Sequence, residues 1–204
     1  MAKFIVVADG GFKSNAWNTV QYAAVLWIQK EVQFEPIRLE VNPVVFSFSK
    51  EYEKPLRQLG ADIAELEGIL AGIAEAAKYV KMHGGISSVH IFTDSENALR
   101  YLEDAEDGSL ELDSGSYEAE MVLKELAFSI IEEKKKIVGE PSVIPVVRPT
   151  VSFHKVTAHA LPDNWVGGVS GVDMNLVYTF HNSCDSQIHA ARKAFFNEKQ
   201  RIWR

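Results

Sequence analysis

Lys3-Phe4-Ile5-Val6-Val7-Ala8-Asp9-Gly10-Gly11 is an apolar run closed by an acid and two glycines. A short unbroken apolar run fits a buried strand, and Asp-Gly-Gly is a turn signal that ends it. The stretch predicts a strand with a carboxylate at its C-terminal end. Working outward, residues 20–29 and 36–48 read as two further strands, with Pro43 marking an edge or a bulge. The short links between the three predict an antiparallel meander.

The period then changes. Ile63, Leu66, Ile69, Leu70, Ile73, Ala77 and Val80 recur at steps of three and four, which predicts a helix over 61–82 with one apolar stripe. Residues 88–93 form a strand that runs into Asp94-Ser95, and either residue can cap a helix over 95–103. The acidic segment 103–114 reads as a surface loop. A helix over 116–137, a proline-bearing connector over 139–149 and a last core strand over 150–158 follow. A glycine-bearing loop over 160–171, a short strand over 172–180 and a terminal helix over 183–202, entered through Asn182-Ser183, complete the chain. The order β-β-β-α-β-α-α-β-α predicts a single α/β domain over 1–204 with a mixed sheet.

The bulk composition agrees. The chain has 204 residues, 47% of them apolar, enough for one well-filled core. Its net charge of −7 runs against a protein that coats nucleic acid, but not against an enzyme whose carboxylates hold cations. A lone cysteine, Cys184, allows no disulfide within the chain. The first residues lack the long apolar segment of a secretory leader, and no apolar run is long enough for a membrane span. A cytoplasmic location is the expectation.

Three acids occupy special places in this layout, and a fourth joins them. Asp9 ends the first strand, Glu65 lies in the first turn of the first helix, and Asp94 ends the fourth strand. Asp185 starts the last helix. Each has a plainer use on its own, as a turn residue, a partner of the helix dipole or a cap. Gathered at one sheet edge they would repel one another and raise each other's pKa. Such a cluster makes sense around hard divalent cations, Mg²⁺ or Mn²⁺. Two such ions about 3.5–4 Å apart activate a water and stabilise the leaving oxygen of a phosphodiester.

The series of motifs resembles the type 1 ribonuclease H family. Asp9-Gly10-Gly11-Phe12-Lys13-Ser14-Asn15, followed by Tyr22-Ala23-Ala24-Val25-Leu26, is similar to the first hairpin of that family. Ala64-Glu65-Leu66-Glu67-Gly68-Ile69-Leu70-Ala71-Gly72-Ile73 resembles its first helix, and Ile91-Phe92-Thr93-Asp94-Ser95 its Thr-Asp-Ser strand end. Lys155-Val156-Thr157-Ala158-His159-Ala160 and Asn182-Ser183-Cys184-Asp185 resemble its last two motifs.

The resemblance implies a ribonuclease H-like mixed five-stranded sheet flanked by helices, with an insertion over about 160–181 before the C-terminal helix. It implies hydrolysis of the RNA strand of an RNA–DNA hybrid, with two Mg²⁺ (or Mn²⁺) ions held by Asp9, Glu65, Asp94 and Asp185. Within the first helix it points to Glu65 rather than Glu67. It gives His159 a part in proton transfer or product release, and it places Gly10, Gly11, Asn15 and Ser95 beside the substrate. Neither a membrane nor an obligate protein partner enters. The chain also departs from the pattern. The span from His159 to Asp185 is longer than in the family, which leaves Asp173 as the rival fourth ligand. Asp62 and Glu96 stand where the family often has amides. A junction resolvase, a 3′-exonuclease or a nucleic-acid-binding relative that does not cut are therefore alternatives. Lys134-Lys135-Lys136 reads as a solvated helix end. Trp27 reads as core, Trp165 as a loop anchor or a base-stacking group, and Cys184 as a small apolar residue at a helix start.

Overall fold

The computed structural model describes residues 2–12, 18–32, 35–39, 43–53, 56, 59–139, 148–158 and 168–202. The elements run β1 (Ala2–Phe12), β2 (Thr19–Val32), β3 (Glu35–Leu39), β4 (Val44–Glu51), α1 (Gly60–His83), β5 (Ile86–Thr93), α2 (Glu96–Asp107), α3 (Tyr117–Val138), β6 (Thr150–Lys155) and α4 (Met174–Ile202). The sheet order is β3-β2-β1-β5-β6, with β4 also paired to β2. β2 is antiparallel to β1, β3 and β4, whereas β5 runs parallel to both β1 and β6. This is the expected α/β arrangement of a mixed sheet flanked by helices.

The sheet is five positions wide but holds six strands. β4 lies along Thr19–Leu26 of β2 and β3 along Gln29–Val32, so the two share the outer position end to end. The single third strand expected over 36–48 is thus two strands. Pro43 immediately precedes β4 and has no N–H to give to a ladder.

Alternation along β1 divides the core. Phe4, Val6 and Ala8 pack with Ile63, Leu66, Ile69 and Ile73 of α1 and with Leu123 and Ile130 of α3. Ile5 and Val7 face the other way, against Val177, Cys184 and Ile188 of α4. Both faces of β1 are covered, which explains why its sequence is a continuous apolar run and not an alternating one. Trp27, 1% exposed, belongs to the α4 side.

Several expectations are corrected by the helices. Residues 172–180 do not form a strand, because α4 already begins at Met174. Val177, Cys184 and Ile188 recur at helical steps into one apolar cluster, and that period prevails over the local β-rich composition. Asp173 caps the helix, its Oδ1 accepting from the Asn175 and Leu176 amides at 3.0 and 3.3 Å. Asn182-Ser183 is therefore mid-helix, and so are Cys184 and Asp185. Glu65 is the sixth residue of α1, which starts at Gly60, and so lies in its second turn and not its first. Residues 103–107 of the expected acidic loop belong to α2. Part of the expected loop over 160–171 lies outside the described residues. Among the described residues, no helix is long and apolar enough to cross a membrane.

β5 and β6 also bring two imidazoles together. His90 Nδ1 lies 3.0 Å from His154 Nε2, with Ser88 and Ser152 hydroxyls on the same rings. Burial, then the charges of His154 and Lys3, holds His90 down to about 4, and burial lowers His154 too. The folded pair stays neutral where the unfolded chain, titrating near 6.5, takes up protons. Folding stability contributed here is complete above pH 6.5 and falls as pH drops toward 4. In urea titrations at pH 7 and pH 4.5, His90→Gln should lose less stability between the two pH values than the parent does. An equal loss would discount the pair.

Candidate functional site

Asp9 and Asp94 are set side by side by register, although Asp9 does not end β1 as expected, because β2 pairs with that strand as far as Phe12. β1 and β5 are parallel neighbours, with Val7 opposite Phe92, so Asp9 and Asp94 each follow two residues later at the same edge. Ser95 caps α2, its hydroxyl accepting from the Ala98 amide at 3.1 Å, so the Asp94 carboxylate is not used as the cap. Ser95, expected beside substrate, has this structural task.

Glu65 reaches the same place because α1 lies unusually close to β1. A Cβ on Gly10 would collide with the backbone of Ala64 and Glu65. One turn on, a Cβ on Gly68 would stand 2.9 Å from the Asp9 carbonyl oxygen. Only glycine allows two backbones to approach in this way. Glu65 is 9% exposed and accepts from the Thr93 hydroxyl at 3.2 Å, one residue before Asp94. Glu67 points elsewhere, accepting from Lys50 Nζ at 2.5 Å and from the Tyr52 hydroxyl.

The fourth contributor is a residue the sequence reading missed. His181 of α4 is 1% exposed, and a ring nitrogen lies within 4.8 Å of a carboxylate oxygen of both Asp9 and Asp94. Its Nε2 is 3.6 Å from Asp94 Oδ1, too long for a normal hydrogen bond. Among the described residues neither ring nitrogen has a hydrogen-bond partner. The signal was present as His181-x-x-x-Asp185, two residues one turn apart on a helix. It was hidden by reading 172–180 as a strand, which left His181 outside any helix.

The electrostatics follow from crowding in a dry place. Burial, reinforced by the charges of Asp94 and Asp185, raises Asp9 from 3.8 to about 6, against the opposing pull of His181 and a Gly10 backbone hydrogen bond. Glu65 is raised well above the usual range by burial and then by Asp9 and Asp94. Burial pushes His181 down, but Asp94, Asp9 and Asp185 together outweigh it and leave the imidazole raised. A divalent cation fits this donor set. Buried carboxylates that destabilise one another, beside an imidazole whose ring nitrogens make no hydrogen bond among the described residues, are what such an ion would neutralise.

Asp185 lies on the rim. Its charge acts on Asp9 and on His181, its side chain is 35% exposed, and its Oδ1 is 3.5 Å from His189 Nε2. Asp173, the rival, is occupied as the α4 cap. His159 and Asn15 lie outside the described residues, as do Trp17, Trp165 and Trp203. Gly11 packs against Ile188 and Arg192 of α4. Asp62 accepts from the Tyr101 hydroxyl at 3.1 Å and from Asn97 Nδ2 at 3.3 Å, and Glu96 pairs with Lys155 at 2.5 Å. The basic run is neutralised, with Lys134, Lys135 and Lys136 paired to Glu106, Glu132 and Glu133.

No protein-family model matches the chain, and neither does any curated protein. Solved structures do resemble it. The prototype foamy virus protease–reverse transcriptase is 13% identical with a TM-score of 0.42, over 93% of this chain and 20% of that one. A type 1 ribonuclease H carrying a type 2 active-site motif, LC9-RNase H1, is 15% identical with a TM-score of 0.41, over 78% of this chain and 64% of that one. The PFV ribonuclease H domain is 10% identical with a TM-score of 0.43, over 93% of this chain and 94% of that one. The chain thus spans about a fifth of the first of these proteins and just under two thirds of the second, and the structures it resembles include ribonuclease H domains.

Proposed function

We propose that this chain is a metal-dependent nuclease of the ribonuclease H type, cutting the RNA strand of RNA–DNA hybrids. The observation that carries the reading is the meeting of Asp9, Glu65 and Asp94, far apart in sequence, at one edge of the sheet. Asp9, Glu65, Asp94 and, from the rim, Asp185 would hold two divalent cations. When bound, such ions lower the pKa of a water and neutralise charge on the phosphate being cleaved. The chain's own contribution is placement. Register fixes Asp9 and Asp94, helix contact fixes Glu65, and Thr93 orients the Glu65 carboxylate. His159 is assigned to proton transfer or product release by resemblance.

A second reading has a specific observation in its favour. Asp62 and Glu96, which stand where amides would contact a hybrid, are tied to Tyr101, Asn97 and Lys155. A nuclease of the same architecture with a different nucleic-acid substrate fits that arrangement. Labelled RNA–DNA hybrid, duplex RNA, duplex DNA and a four-way junction, each incubated with Mg²⁺, Mn²⁺ or chelator, decide between the two. Cation-dependent cleavage of the hybrid alone supports the first reading, and cleavage of another substrate supports the second. No cation-dependent cleavage of any of them would remove both.

The fourth acid has its own test. Asp185→Asn should slow cleavage at least ~10-fold, whereas Asp173→Ala should leave the rate unchanged and cost about 1 kcal/mol of stability through loss of the cap. The reverse pattern in parallel rate and melting measurements would make Asp173 the functional acid.

A further inference from the structure

We infer that His181 supplies a nitrogen ligand to this centre and makes it favour a transition-series divalent cation such as Mn²⁺ over Mg²⁺. The inference rests on the metal-centre reading above and goes beyond it in naming the ligand and the selectivity.

Three observations on His181 support it. The side chain is buried at 1% exposure, so it is not held there by solvent. Neither ring nitrogen has a hydrogen-bond partner among the described residues, a costly state for a buried imidazole. One ring nitrogen lies within 4.8 Å of carboxylate oxygens of Asp9 and Asp94, in the spacing of groups that can share an ion. The position is also well supported. His181 is flanked along one helix face by Val177, Cys184 and Ile188, all packed against the sheet. The imidazole is therefore fixed toward the strand ends by α4 docking.

Two carboxylates and an imidazole form a mixed oxygen–nitrogen set. Mg²⁺ is a hard ion that favours oxygen and keeps much of its water. Imidazole suits later divalent ions, and geometry and ligand type decide selectivity more than raw affinity does. The competing account is that protonated His181 is simply a counter-cation for Asp94. The two accounts predict opposite effects of removing the ring. A ligand lost weakens Mn²⁺ binding, whereas a competing cation lost tightens it.

The test uses the full chain with Mn²⁺ and Mg²⁺ alone as probes. Calorimetry gives both affinities, and pulsed electron paramagnetic resonance reads ¹⁴N coupling on bound Mn²⁺. The parent should show nitrogen coupling. His181→Ala and His181→Gln should both lose it and bind Mn²⁺ at least ~10-fold more weakly, with Mg²⁺ affinity moving less than about threefold. Comparing two variants, each checked by its melting curve, guards against a folding defect in one. Mn²⁺ bound by the parent without nitrogen coupling, or bound more tightly by His181→Ala, would overturn the inference and leave the metal centre standing. A parent that binds neither ion would remove the metal centre itself.

Discussion

Asp9→Asn is expected to abolish cation-dependent cleavage and, in the metal-free protein, to raise the melting temperature. The two effects share one cause. A carboxylate raised from 3.8 to about 6 is held ionised at neutral pH at a cost of roughly 3 kcal/mol. That cost is absent below pH 3.8 and complete above about 6. The amide removes it, and because the shift is already net of the attraction to His181 the gain is about 3 kcal/mol. For a chain of this size that is about 6–12 °C. The same amide cannot serve as an anionic ligand. Loss of several kcal/mol of transition-state charge stabilisation slows cleavage at least ~10³-fold. Calorimetric melting in chelator and a hybrid cleavage assay check the pair. Wild-type cleavage by Asp9→Asn would end the metal mechanism, and a lowered melting temperature would mean that the carboxylate is stabilising where it sits.

Gly10→Ala has the largest expected effect on the fold. The added methyl meets backbone, not the end of a flexible side chain, so either α1 or β1 must move. Forcing atoms into a packed contact costs about 1–3 kcal/mol and more where nothing can yield, which here gives at least ~3 kcal/mol, or about 6–12 °C. The shift also carries Glu65 away from Asp9. Gly85→Ala is an instructive contrast, because nothing lies within 4 Å of its position although its φ of +71° is strained for alanine. Its cost should be the modest one of a left-handed residue, about 1 kcal/mol. Equal melting curves for the two variants would mean that α1 does not bear on β1 as closely as described.

How far the sequence disclosed this molecule depends on the range of its signals. α1, β5 and α3 have strong local periods, and their bounds moved by only a residue or two, whereas β1 runs on past the expected Asp9-Gly10-Gly11 turn to Phe12 because β2 pairs with it there. Asp94 follows the end of β5 as expected, whereas Asp9 lies within β1 and Glu65 in the second turn of α1, so the three were legible as acids at or near element boundaries. The split of the third strand was not legible, since two strands sharing one edge look locally like one. The start of α4 was missed because valines, an aromatic pair and nearby glycines imitate a strand, while the apolar stripe that decides the matter is completed only by Cys184 and Ile188. That single misreading hid His181 and made Asp185 look like a helix start. Gly10 and Gly11 were expected beside substrate; where a Cβ would stand, Gly10 meets the α1 backbone and Gly11 meets Ile188 and Arg192 of α4. Glycine marks a close approach but does not say what approaches.

The contribution of α4 has a consequence for biogenesis. Asp9, Glu65 and Asp94 emerge from the ribosome well before residues 174–202, and the imidazole that faces them comes with those later residues. A nascent chain that has paired β1 with β5 carries bunched negative charge whose offsetting group is still unmade. Docking of the final helix therefore completes the hydrophobic layer and, on the proposed reading, would bring in the last ligand in the same event, one that a chain stopped before Met174 would lack.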